Sequence, residues 1–218
     1  MIAAVRRAGV ILVAVGVCAS VALAANGDPQ KKLTAAGQAR ARQASLRPAD
    51  LPGWKATPHK PASDENDPRC SYYNPDQSDL VEVGDYDSPD FDRPDGSSVS
   101  VSTGVFRTVQ MAKTAYARVA QPALPKCFAE LFRKGAGGSR TTVFSSRRLE
   151  FPRYGDRSDA YRIVAAVKAP NATVRVYIDI FLLNKGAVDV AVLALGIARP
   201  LPAGLERSLA ARLAARAA

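Results

Sequence analysis

The stretch "DYDSPDFDRPDGS" (Asp85–Ser97) carries carboxylates at Asp85, Asp87, Asp90, Asp92 and Asp95, followed by Gly96. Such residues supply the hard oxygen ligands that calcium prefers. An EF-hand loop spaces its carboxylates at alternate positions and closes on a glutamate at the twelfth. Here prolines break that register and the glutamate is missing. The five aspartates are therefore candidate metal ligands by type and not by spacing; the competing reading is a solvated acidic loop folded against a basic body. No other cofactor is implied.

Other chemistries find fewer parts. The only histidine, His59, lies between Pro58 and Lys60. A Ser-His-Asp triad needs a histidine oriented by a carboxylate and a serine in a strained turn, and no G-x-S-x-G occurs. The chain has no H-E-x-x-H, no Walker loop and no G-x-G-x-x-G. Cysteine catalysis is set aside because Cys127 falls on an apolar helical face. The sequence thus offers no catalytic residue, and a paired-carboxylate enzyme remains the alternative in that class.

Three cysteines are present. Cys18 lies within "GVCASVALAANG", behind Arg6 and Arg7 and the apolar run Ala8–Ala19. Basic start, apolar run and the small exit residues Ala22 and Ala24 form the grammar of a secretory signal peptide over residues 1–24. The alternative is a retained membrane anchor, since Ala8–Ala25 approaches the roughly 18 residues needed to span a bilayer. Lipid anchoring at Cys18 is disfavoured: β-branched Val17 precedes it, and the apolar run continues past it. Removal of the leader leaves Cys70 and Cys127, and an even count in an exported chain reads as a disulfide. The expected location is secreted or extracytoplasmic.

The 218 residues carry 30 Lys and Arg against 20 Asp and Glu, a formal net charge of +10. From Asp64 to Asp95, however, the only bases are Arg69 and Arg93 among a run of carboxylates. The remainder, including "SSRRLEFPRYGDR" (Ser145–Arg157), is strongly basic. Nucleic acid is excluded as a partner, because neither a recognition motif nor a set of stacking aromatics accompanies the charge. A basic exported surface instead suits an anionic cell-envelope polymer or a small ligand. Membrane contact is expected only through an uncleaved leader.

The elements that must position these residues read as follows. Residues 25–46 form an N-terminal arm or helix with a thin apolar face, and 47–218 form a single domain with an acidic loop at 64–95. "SSVSVSTGVF" alternates as a half-buried strand. Val109–Ala120 is helical, and after Pro122 and Pro125 a second helix presents Leu124, Cys127, Phe128, Leu131 and Phe132. Four strands follow, over Thr141–Phe151, Asp159–Lys168, Thr173–Leu183 and Ala187–Leu195. The last is apolar on both faces and so is expected to be central; Asn184-Lys185-Gly186 turns into it. A closing helix after Pro202 buries Leu205, Leu209 and Leu213 and turns Arg207, Arg212 and Arg216 outward. This order predicts an α+β fold, an antiparallel sheet of about five to six strands with helices packed on one face.

"ADLPGW" (Ala49–Trp54), "CFAELF" (Cys127–Phe132), "VRVYIDI" (Val174–Ile180) and the terminal helix resemble actinobacterial secreted and lipoprotein-type domains. The nearest in layout is the extracellular sensor domain of mycobacterial serine/threonine kinases. That resemblance implies a cleft-bearing, non-enzymatic domain outside the membrane. The functional expectation is an exported non-catalytic domain that binds a ligand or envelope component through a cleft or basic surface. The alternatives are a calcium-dependent or carboxylate-based extracytoplasmic enzyme, and a structural or assembly protein of the envelope.

Overall fold

A computed structural model describes residues 27–60, 70–135, 141–169 and 172–218. Ala22, Ala24 and Cys18 lie outside the described residues, as do Asp64, Glu65 and Asp67 of the acidic stretch.

The fold is α+β. Among the described residues nine strands form one sheet: β1 (Gln30–Lys31), β2 (Lys55–Thr57), β3 (Val81–Asp87), β4 (Asp90–Asp92), β5 (Ser98–Phe106), β6 (Thr141–Arg148), β7 (Arg157–Ala169), β8 (Ala172–Lys185) and β9 (Val188–Ile197). Their order is β1-β3-β5-β9-β8-β7-β6, with β2 and β4 continuing one edge beside β5. The apolar strand β9 is central, as its sequence requires. The sheet is mixed and not purely antiparallel, because β1 runs parallel to β3 with Gln30 opposite Val81. Strands β1, β3 and β4 raise the number above the expected five to six. Strands β1 and β4, of two and three residues, are too short to show a period, and β3 falls in the stretch expected to be an acidic loop.

Helices cover both faces, not one. On β8, Phe181 and Leu183 join Val188, Val190, Val192 and Ala194 of β9 beneath α1 (Ala35–Ala44) and α4 (Ala203–Arg216). The alternate residues Val176, Ile178, Ile180 and Leu182 face α2 (Val109–Val119) and α3 (Leu124–Gly135). A strand apolar on both sides must be covered on both, so the composition of β8 and β9 already demanded two helical layers.

Helix α1 is docked despite its few large side chains. Ala41 and Ala44 are fully buried, and the Thr34 hydroxyl accepts from Gly37 N at 3.0 Å to cap the first turn. Gly37 lies against the backbone of β3: a Cβ there would sit 2.1 Å from the Val83 carbonyl oxygen. Backbone replaces side chain as the packing surface at this crossing.

Within the acidic stretch, Val81–Asp87 and Asp90–Asp92 enter the sheet, while 71–80 and 93–95 run as turns and coil. Apolar Val81, Val83 and Phe91 alternate with its carboxylates over β3 and β4. Pro89 interrupts these two strands, and Ser88 bridges the break: its backbone N–H donates to the Val101 carbonyl and its hydroxyl accepts from Val101 N at 3.0 Å. Arg216 also departs from the helical pattern. It turns inward and makes a two-pronged ion pair with Asp50, at 2.6 and 2.7 Å.

Candidate functional site

Helix α2 and the start of β7 leave a cleft of about 490 Å³ between them. Helix α2 supplies Tyr116 and Ala117, and Ala120 follows it. The segment before β7 supplies Phe151, Arg153 and Asp156, and β7 itself supplies Arg157, Ser158 and Asp159. The segment is pinned from below. Phe151 stacks on the core residue Phe181 at 5.0 Å between ring centres, and Tyr154 meets Phe151 edge-on at 5.2 Å. Gly155 adopts a positive φ of 68°, where a Cβ would strike the Asn184 carbonyl at 2.6 Å. This turn brings the Asp156 carboxylate onto Gly186 N and Lys185 Nζ, both at 2.9 Å.

The cleft's carboxylates are engaged. Asp159 accepts from the Tyr116 hydroxyl at 2.7 Å and pairs with Arg148. Burial, then the bond to Asp159, raises the Tyr116 phenol well above its ordinary range, so it remains a donor. The Asp156 carboxyl is held below its ordinary value by the Gly186 N–H first and Lys185 second. Arg153 turns back to the Asp156 carbonyl oxygen. Arg157 is exposed, makes no ion pair among the described residues, and is felt as a charge by Asp189. The cleft is thus a partly apolar, hydroxyl-bearing hollow with an uncommitted guanidinium at its rim, suited to an anionic group.

A polar row leads from this rim across the sheet. Arg157 is in register with Asn184, Asn184 with Asp189, Asp189 with Gly104, and Gly104 with Asp85. Asn184 Nδ2 donates to Asp189 at 2.6 Å. Burial pushes the Asp189 carboxyl up to about 8, against the opposing pull of Arg157. Glu82, lying over Gly104, is pushed up to about 8 by burial first and the Asp85 charge second.

The five aspartates singled out from the sequence are dispersed along one side of the sheet. Asp85 pairs with Lys31 at 2.6 Å. Asp90 lies 3.1 Å from His59 Nδ1, and Asp87 interacts with Ser102 and with His59. Asp92 is raised by burial and by Asp90, whereas Asp95 caps the following turn by accepting from Ser97 N at 3.0 Å. Among the described residues no three His, Cys, Asp or Glu side chains converge to hold a metal ion. His59 and Asp90 do form an imidazole–carboxylate pair, with side chains 7% and 13% exposed.

Cys70 and Cys127 form a disulfide with their Cα atoms 5.7 Å apart. It ties the chain ahead of β3 to the buried face of α3, beside Tyr73, Phe128 and Phe132. Such a bond is compatible with an extracytoplasmic location. No helix among the described residues is long and apolar enough to cross a membrane.

The sequence reading passed over Tyr116 and Asp159 as chemistry. They stand on a helix and a strand 43 positions apart, and only the packing of α2 onto the sheet unites them. The remaining cleft residues had one signal, the basic, aromatic "SSRRLEFPRYGDR", which supplies Phe151, Arg153, Asp156 and Arg157. No protein-family model matches the chain, and no curated protein matches it either.

Proposed function

We propose that this chain is an exported, non-catalytic domain that binds a small anionic ligand, or an anionic group of an envelope component, in the cleft between α2 and the start of β7. The observation that carries this reading is the state of the cleft's charges. Asp156 and Asp159 are neutralised by partners within the fold, while Arg157 makes no ion pair among the described residues. A guanidinium in that position offers paired donors to a carboxylate or phosphate, and Tyr116, Phe151 and Ser158 offer a mixed surface to the rest of the molecule. The resemblance of the sequence to extracellular sensor domains is in line with the same reading. So is the disulfide, which stiffens a domain working outside the reducing cytoplasm.

Nuclear magnetic resonance titration with glucuronate and with glucose phosphate tests it. Amide shifts confined to Tyr116, Ala117 and Phe151–Asp159, weakened by salt and abolished in Arg157→Ala, are the expected result. Shifts centred elsewhere, or none with either ligand, overturn it.

A further inference from the structure

At the other end of β7 the face shared with α4 is left partly open, and its charge is one-sided. Strand register fixes what lies there: Arg147 is opposite Arg162, Ser145 opposite Val164, Val164 opposite Tyr177, and Ala166 opposite Arg175. Val164 and Tyr177 are half-exposed, and Arg147, Lys168, Arg175 and Arg207 are exposed. The carboxylates of this face, Asp179 and Glu206, are buried and held by Arg162, so they do not offset the outer cations. Phe144, the extra residue of a bulge in β6, is 58% exposed, with the Arg175 guanidinium 5.6 Å from its ring centre.

We propose that this face, built from Phe144, Arg147, Lys168, Arg175, Tyr177 and Arg207, is a docking surface for an anionic glycan chain of the envelope. Arg147 and Arg175 stand two strands and four positions apart, about 16 Å at their Cα atoms by strand geometry. Arg147, Lys168, Arg175 and Arg207 are spread over β6, β7, β8 and α4, more cations than one carboxylate or phosphate pairs with, whereas a polymer with a charge on each repeat meets several of them at once. Phe144 and Tyr177 offer ring faces to the C–H surfaces of sugars between the charges. A bulge and arginines on β6 disfavour its use as a free edge for pairing with another strand. This surface is separate from the cleft, which lies at the Arg157 end of the same strand.

Affinity electrophoresis through gels containing polygalacturonate tests the proposal, with neutral dextran as the reference. The full mature chain is expected to be retarded by polygalacturonate alone. Arg147→Ala with Arg175→Ala weakens that binding about tenfold, while the equal-charge control Arg107→Ala with Arg133→Ala leaves it near the original. Phe144→Ser lowers the binding that survives at high salt, where charge is screened. Retardation equal in the two double variants overturns the proposal. So does capture by phosphatidylglycerol vesicles without retardation by polygalacturonate. Failure of the cleft titration leaves these outcomes unchanged, since no cleft residue is altered.

Discussion

The Tyr116 hydroxyl donates to the Asp159 carboxylate at 2.7 Å and thereby links helix α2 to strand β7 at the floor of the cleft. Arg148 holds the same carboxylate from the strand beside it. Tyr116→Phe removes one charged-acceptor bond and leaves a half-buried carboxylate with a single partner. The expected loss of stability is about 1–2 kcal/mol, read by urea denaturation. The variant also frees one Asp159 lone pair beside Arg157, so small-anion binding in the cleft weakens. Unchanged affinity together with unchanged stability contradicts both assignments.

Gly37 and Gly84 are a packing pair whose importance no side-chain pattern reveals. A Cβ on Gly84 would lie 2.2 Å from the Gly37 carbonyl oxygen, in rigid backbone. Gly84→Ala therefore lifts α1 off β3, exposing Ala41 and Ala44 and costing on the order of 2–3 kcal/mol. Hydrogen exchange is expected to accelerate in 35–44 first. Exchange in that helix equal to the parent's shows that it docks through other contacts.

That crossing also explains what the sequence made legible and what it did not. Strands β5, β7, β8 and β9 alternate over many residues, so period alone found them, and the two-sided β9 announced its central place. The buried residues of helix α1 are only glycine and alanine, so its thin apolar face left open whether that segment was an arm or a docked helix. The cleft was hidden for a different reason. Its charges are assigned by partners distant in sequence, as when Asp156 is engaged by Lys185 and Gly186. The two strands inside the acidic stretch went unread because its carboxylates masked the alternation of Val81, Val83 and Phe91.

The Cys70–Cys127 bond closes a loop over 57 positions. On the chain-entropy account, a loop of that length is worth about 4 kcal/mol, so Cys70→Ser with Cys127→Ser should lose 2–5 kcal/mol. The drop is measured by guanidinium denaturation of the oxidised parent against the double variant. A reduced parent should match the variant. If instead the reduced parent keeps the oxidised parent's midpoint, the bond contributes nothing to holding α3 in place.

The Arg162–Asp179–Glu206 group under α4 sets a pH dependence of definite sign. Arg162 forks onto Asp179 at 2.6 and 2.8 Å, and Glu206, buried at 4% exposure, stands beside both. Burial first, then a hydrogen bond to Asp179, pushes the Glu206 carboxyl up from 4.5 to about 8. The folded chain therefore keeps a proton that the unfolded chain releases. Below about pH 4.5 both states are protonated at this position and it adds no slope. As pH rises from there toward 8 the unfolded state gains, and stability falls. Glu82 and Asp189, also raised to about 8, add slopes of the same sign. Glu206→Gln retains an N–H donor for Asp179 but cannot ionise, so it removes one share of the slope. Thermal unfolding at about pH 9 should show the variant more stable than the parent by at least about 1 kcal/mol, with little difference near pH 4. A variant less stable than the parent at the alkaline end would mean that Glu206 is ionised in the fold and bound as an anion to Arg162.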